Sequence, residues 1–386
     1  MAVQQGIRLG HSLLQDARLA ARAFHDAVAQ RDCSLVVFFC STLYDLDALA
    51  DELARLFDGV TVIGCTTAGE IGPAGYCRHS LSGASFCRSA FSAVVGRLDG
   101  LQQFDMPAGQ RFAGELLARL KVLSPSGNAP AHCFGLQLID GLSVREEMVS
   151  HAVQSALGRL PVIGGSAGDD LEFSHTWVYH EGAFHADCAV LALIGTELPV
   201  LAFKTQHFAT EDERFVVTEA DASRRIVHEI NGLPAAQEYA RLVGVACESL
   251  GPAQFAAHPV VVMIDGTDYV RSIQKVNADG SLTFYCAIEE GLVLRVARGQ
   301  NMVSDLSRAL DSVRAQIGPP DFVFSCDCIL RRLEMDAGQQ RDAVADLLVR
   351  NNCVGFSTYG EQYGGVHVNQ TLTGIAIGRS LEVDDV

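Results

Sequence analysis

The sequence predicts an α/β protein built from internally repeated β-α-β units with mixed sheets. Three observations carry that prediction. The chain returns three times to one arrangement of strand, helix, second strand and glycine-framed turn. Each turn is followed by alternating, strand-like sequence and not by a helix. Apolar residues make up 48% of the 386 residues and charged residues only 19%. That charged share lies below the roughly 25% usual for soluble domains, which suits large buried sheets and argues against disorder.

Ser12-Leu13-Leu14-Gln15 has the capping-box pattern and predicts the start of an N-terminal helix. The first unit opens with the strand Leu35–Cys40. In Asp45–Phe57, the residues Leu46, Leu49, Ala50, Leu53, Leu56 and Phe57 share one helical face. The unit closes on Val62-Ile63-Gly64-Cys65-Thr66-Thr67-Ala68-Gly69-Glu70. The second unit runs from the strand Cys133–Ile139, through a capping box at Ser143-Val144-Arg145-Glu146, to the turn in Val162–Asp170. The third begins with Phe322–Ser325 and closes on Val354–Glu361. Strand-like Ser82–Val95, Thr176–Ile194 and Thr371–Ile377 follow the turns and imply hairpins. Ser124–Pro130 reads as a loop, and the charge run Thr210–Arg214 introduces a new region. At roughly 100–200 residues per domain the chain holds two or three. The main division is placed so that 1–235 carries two units and 236–386 carries one.

Lys and Arg number 29 against 46 Asp and Glu, a net charge of −17 with no basic block. Such a surface repels phosphate backbones and anionic headgroups, so neither nucleic acid nor a membrane surface is expected as a partner. No stretch approaches the ~18 continuous apolar residues of a membrane span. Met1–Gly10 lacks the apolar core of a secretory signal, and the expected location is cytoplasmic. Cys40, Cys133 and Cys286 sit in apolar runs and read as reduced thiols.

The stretches VIGCTTAGEI (62–71), VIGGSAGDD (162–170), FVVTEAD (215–221), IVHEINGLPAAQEYA (226–240), VGFSTYGEQYGG (354–365) and HVNQTLTGIAIG (367–378) together resemble the FIST sensory family. These are bacterial signal-input modules with an N-terminal and a C-terminal part. The resemblance spans Ser34 to Gly378. FKTQHF (203–208), CDCILRRLE (326–334) and HVNQT (367–371) further resemble its haem-binding, nitric-oxide-sensing subgroup. The resemblance implies a protein without catalysis of its own that holds haem b and responds to nitric oxide. It would regulate a partner histidine kinase or cyclic-di-GMP enzyme, and homo-oligomers are compatible with it. His207 is the first choice of iron ligand and His367 the second, with Phe203, Phe208 and Tyr359 against the cofactor. The alternative is a FIST sensor of a small organic ligand such as an amino acid, without haem.

The residues themselves leave each site open. If Val200–Phe208 is one strand, Leu201, Phe203, Thr205 and His207 share a face, where His207 is a haem ligand or a core histidine. His132 lines up with Phe134, Leu136 and Leu138 and reads as core. His180 and His185 flank the hairpin turn Glu181-Gly182, pairing His180 with Ala183 and Val178 with His185. The glycine turns either aim successive N–H groups at an anion or are tight connections needing positive φ. Thr66, Ser166, Ser357, Glu70 and Glu361 would then line one cleft. A pocket is expected between the two parts, with Ser357, Tyr359, Glu361 and His367 as its C-terminal wall and Tyr359 and Tyr363 as aromatics for a flat ligand. Gly164–Gly168 matches G-x-S-x-G, so a serine hydrolase using Ser166 is a third reading, but that motif needs a following helix and DDLEFSH has no helical stripe. Cys326 and Cys328 are a thiolate haem ligand, a redox pair or half a zinc site, or else two reduced cysteines with one buried. Arg331 and Arg332 would lower a thiol pKa if close.

Overall fold

Each of the repeated units builds a six-stranded mixed sheet in the computed structural model, which describes residues 6–123, 130–264 and 266–379. Most of the expected 124–130 loop lies outside the described residues. In the first sheet, Cys33–Ser41 runs parallel to Thr61–Thr67 and antiparallel to Leu81–Cys87, which pairs with Ile7–Ser12. In the second, His132–Ile139 lies between Val162–Ser166 and Cys188–Thr196, with Phe91–Asp99 beyond. In the third, Phe322–Cys328 lies between Cys353–Thr358 and Leu372–Ile377, with Val200–Thr205 beyond.

The hairpin after each glycine turn leaves its own sheet. Glu70–Cys77 extends the third sheet, Val178–His185 the first, and Glu361–Val368 the second. The exchange is cyclic, so no unit completes a sheet alone. Within the hairpin at 180, the register His180↔Ala183 and Val178↔His185 is the expected one.

The inner faces of the three sheets meet in one core that includes Val37, Phe39, Leu136, Leu138, Phe324 and Phe356. Phe39 stacks on Phe356 at 4.6 Å and Phe86 on Phe324 at 5.6 Å, tying the first unit to the third. Helices cover the outer faces. The crossover Leu46–Leu56 is capped by Asp45, whose side chain accepts from Ala48 N, in keeping with the predicted stripe.

Between Thr205 and the helix Met302–Ile317 the chain inserts an eight-stranded sheet with its own core of Phe215, Val217, Tyr239, Phe255 and Leu294. The third unit therefore starts at Val200, and the division 235/236 falls inside this inserted layer, at the first turn of the helix Ala235–Val243.

Several local expectations are corrected. Ser12 ends a strand, and the first helix, Ala17–Val28, is capped instead by Asp16. The helix Glu146–Leu157 has no side-chain cap, because Glu146 turns to Arg225 at 2.6 Å. The strand from Val200 stops at Thr205, so His207 stands in a break before the strand Phe208–Asp221 and not on a strand face. His132 is exposed at a strand start.

Gly64, Gly164 and Gly355 lie within strands and have no positive φ. Their need is close approach: a Cβ would sit 2.6 Å from Phe38 O, 2.2 Å from Gln137 O and 1.6 Å from Ser325 O, each the paired residue on the parallel neighbour. Gly355→Ala is accordingly expected to cost roughly 1–3 kcal/mol through backbone displacement. At Gly114, in the helix Met106–Leu123, a Cβ meets nothing within 4 Å, and Gly114→Ala should stabilise by up to ~1 kcal/mol. Urea midpoints of the two variants check the contrast; equal stability would refute the close-approach account.

Candidate functional site

The glycine turns do converge, but on one another. Ala68 N donates to Ser357 O at 3.0 Å, Gly168 N to Thr66 O at 3.0 Å, and Tyr359 N to Ser166 O at 3.1 Å. The N–H groups expected to cradle an anion are thus spent in a cyclic lock between units. Thr66 Oγ1 accepts from Trp177 N, and Ser166 Oγ from Gln362 Nε2 at 3.0 Å. No helix follows the Ser166 turn; irregular chain leads to Val178–His180.

Two turn acids are buried inside this lock. Glu70 accepts from Ser80 N at 3.2 Å and Ser80 Oγ at 2.6 Å, and Glu361 accepts from Thr371 N at 3.3 Å and Thr371 Oγ1 at 2.6 Å. The second unit has no glutamate there. Asp140 takes its place, accepting from the Thr176 hydroxyl and from Asp187 N. Tyr359 donates to Asp169 and accepts from Leu171 N, with Phe173 and Tyr285 as ring neighbours at 4.9 and 6.2 Å.

Chemistry diverges on the outer faces, where each received hairpin meets the first parallel strand. On the first sheet this corner is aromatic: Phe38, Tyr179 and Phe184 pack edge to face at 5.1–6.1 Å. On the third sheet it is ionic. Tyr76 donates to Asp327, which accepts from Arg331 Nε at 2.6 Å; Arg331 Nη1 lies 2.9 Å from His207 Nδ1, and His207 Nε2 lies 2.8 Å from Glu334. Arg332 donates to Ala68 O and to Asp170 at 2.7 Å. Burial pushes His207 below its ordinary pKa against the pull of Glu334. Cys326 and Cys328 are both buried, and burial drives their thiols well up with Glu361 and Asp327 adding to the effect, which removes the low-pKa thiolate reading.

On the second sheet the corner is polar and unfinished. Gln137 donates to Ser150 Oγ at 3.0 Å, and Gln362 Nε2 lies 3.3 Å from His367 Nδ1. Gln137 Oε1, Gln362 Oε1 and both amide atoms of Asn369 are buried without hydrogen bonds, while His367 faces the backbone of Tyr285. The inserted layer closes over this corner. Its Arg225 binds Glu146 at 2.6 Å, Glu147 at 2.5 Å and Tyr285 O at 2.6 Å. Burial lowers His367 to about 4, with Arg225 and Arg271 adding to the effect and Glu147 opposing it.

Haem needs a free imidazole nitrogen over an apolar slot. His207 has both nitrogens engaged, and the neighbouring cavity of about 580 Å³ is lined by Lys204, Gln206, Asp268, Asp305 and Arg308. His367 packs so closely on Gly360 that a Cβ there would lie 2.2 Å from its ring. Phe208 covers the His207 ring at 4.2 Å, while Phe203 packs over Gly374 on the neighbouring strand. As folded, these residues do not fit the group. Tyr363 is half-buried on the strand edge opposite Ile163, away from the unfinished atoms. His185 Nε2 meets Arg97 Nη1 at 2.7 Å and His180 O at 3.1 Å. No cluster of three or more His, Cys, Asp or Glu suited to a metal occurs among the described residues, and no helix there is long and apolar enough to cross a membrane. Asn369 was legible as a polar face-mate of His367, whereas sequence reading missed Gln137, Gln362, Arg225 and Arg271; a lone glutamine in the apolar run Phe134–Ile139 was a signal for the first of these.

The turn acids make stability depend on pH. Burial raises Glu70 to about 7 and Glu361 to about 8, from an ordinary 4.5. Between those limits the folded chain holds protons that the unfolded chain has released, so this contribution falls as pH rises. Glu361→Gln keeps the neutral shape and is expected to shrink the loss of Tm between about pH 5 and about pH 9. An undiminished loss in the variant would show that Glu361 is not the proton store.

The FIST N domain matches residues 34–233 and the FIST C domain residues 235–364. An uncharacterised protein of Methanocaldococcus jannaschii is 23% identical over 392 residues, spanning 89% of this chain and 73% of the relative. Among solved structures, a cyanuric acid hydrolase described as an innovation by structural concatenation aligns over 97% of this chain and 99% of its own, at TM-score 0.36 and 11% identity. The cyanuric acid hydrolase from A. caulinodans aligns over the same shares at TM-score 0.35 and 11% identity. Likeness at that level carries no argument about chemistry. The two domain matches cover most of the sequence, and the chain belongs to the FIST family of sensory, signal-input proteins.

Proposed function

We propose that the chain is a non-catalytic signal-input protein that takes up a small polar ligand, such as an amino acid, at the His367 corner. The observation that carries this reading is the cluster of enclosed polar atoms with no hydrogen bond beside His367: Gln137 Oε1, Gln362 Oε1 and the Asn369 amide. Each such group left unmet costs about 1–3 kcal/mol, so a cluster of them calls for a guest. The same position on the first sheet is filled by Phe38, Tyr179 and Phe184, so the fold does not need polar groups there. Catalysis has less support, because the buried Ser166 hydroxyl meets Gln362 and not a base.

Output would pass to a partner, a histidine kinase or a cyclic-di-GMP enzyme in the cytoplasm. Haem with nitric oxide as its gas ligand is the competing reading, supported by the subgroup-like stretches at 203–208, 326–334 and 367–371. It requires His207 Nε2 to leave Glu334, or His367 to leave its enclosure.

One pair of titrations separates the two. With a panel of amino acids, Tm is expected to rise for at least one member, and Asn369→Leu to abolish that rise. Hemin added to the purified chain is expected to give no saturable Soret band. A saturable band lost in His207→Ala, with no Tm response to any amino acid, would overturn the polar-ligand reading and install haem.

A further inference from the structure

We propose that the ligand of the His367 corner carries a carboxylate and that Arg271 of the inserted layer is its anchor. This rests on the polar-ligand reading and adds the ligand's charge and the second wall of its site.

Arg271 ends the strand Thr267–Arg271, which packs against Val366–Val368, the strand that bears His367. Four arginines are buried among the described residues: Arg225, Arg271, Arg331 and Arg332. Three have carboxylate partners: Arg225 meets Glu146 and Glu147, Arg331 meets Asp327, and Arg332 meets Asp170. Arg271 has none. It is 9% exposed, its Nη1 reaches only the adjacent Val270 carbonyl at 3.4 Å, and its Nε has no partner. A guanidinium offers five N–H donors and a full charge, and enclosing it without a counter-charge is expensive. A bound carboxylate would supply that counter-charge.

The groups around it narrow the class. The Ser272 hydroxyl is fully enclosed and unpartnered, and His367 lies in the field of Arg271. Asn369, just beyond His367, has one acceptor and two donors open. Arg271 and Ser272 suit a planar carboxylate, and Asn369 suits the polar remainder of the same molecule. Glu146 and Glu147, close by on Arg225, disfavour a dianion such as phosphate. Arg271 belongs to the inserted layer, whereas His367 and Asn369 belong to the three-sheet body, so the ligand would join the two.

The full chain is titrated with sodium acetate, acetamide and inorganic phosphate at constant ionic strength, and Tm is recorded. Acetate is expected to give a saturable rise, with acetamide and phosphate giving none. Arg271→Gln should raise the half-saturating acetate concentration at least about tenfold, and the exposed Arg298→Gln should leave it unchanged. Acetamide or phosphate matching acetate overturns the carboxylate class. No saturable acetate response overturns the proposal, while an amino-acid response lost in Asn369→Leu would still uphold the polar-ligand reading. An unchanged acetate response in Arg271→Gln removes the anchor. Should Arg271→Gln not fold, the contrast between acetate and acetamide in the unaltered chain decides alone.

Discussion

Each second parallel strand ends its own unit's sheet and would leave a row of backbone N–H and C=O groups open. The hairpin of a different unit fills that edge, and the rest of the molecule is arranged around this exchange. Because Glu70–Cys77, Val178–His185 and Glu361–Val368 are passed in a ring, each turn must cross the centre to reach its host. There it meets the next turn, which is why Ala68, Gly168 and Tyr359 donate to Ser357, Thr66 and Ser166. The buried acids follow from the same geometry. A glutamate at the crossing satisfies the amide and hydroxyl that open the last strand of its unit, Ser80 or Thr371. Removing one unit would open edges in the two others, so the body stands or falls as a whole.

Repetition also supplies an internal control. Three corners share one backbone geometry and differ in side chains. The aromatic corner of Phe38, Tyr179 and Phe184 shows what packing alone prefers. The ionic corner spends Asp327, Arg331, His207 and Glu334 on one another and leaves only Arg331 Nη2 of that chain without a partner. The third corner keeps polar atoms of Gln137, Gln362 and Asn369 without hydrogen bonds. Departure from a stable solution available in the same molecule marks function better than polarity does by itself.

Features with a local cause were legible in the sequence. The repeat, the Asp45-capped helix and the 178–185 hairpin register each depend on residues a few positions apart. The glycines at 64, 164 and 355 were visible as a pattern, but their cause was not, because the clash is with a carbonyl more than two dozen residues away. The hairpin exchange was hidden for the same reason: the hairpin sequence specifies its turn and not its host sheet. Capping boxes at Ser12 and Ser143 misled, since Asp16 serves as the better cap and Glu146 has a stronger claim from Arg225. His207 looked like a member of an apolar strand face because its partners, Arg331 and Glu334, lie in a helix far along the chain. Within the candidate site, His367 and Asn369 were legible as one polar face, but Gln137 comes from another unit and Arg225 and Arg271 from the inserted layer, and no local pattern links them.

Three of the attachments between the inserted layer and the body bear on the site. At its root, Gln300 N donates to His207 O at 2.7 Å and Phe208 pairs with Gly299, so the outgoing and returning strands leave the body as one stem. Beside the turn lock, Tyr285 and Ala256 of the layer pack with Tyr359, Ile329 and Leu330. At the His367 corner, Arg225 crosses to Glu146 and Glu147, and Arg271 reaches the same ground without a partner. The stem is a closed ladder, and at the aromatic contact Gln370 Nε2 donates to the Phe255 and Ala256 carbonyls with only its Oε1 left over. The corner gathers several such atoms and a buried guanidinium. A ligand there would strengthen one attachment while the others hold, and occupancy would become a change in how firmly the layer sits on the body. A signal-input protein needs such a conversion, and the guanidinium without a carboxylate partner stands where it can be made.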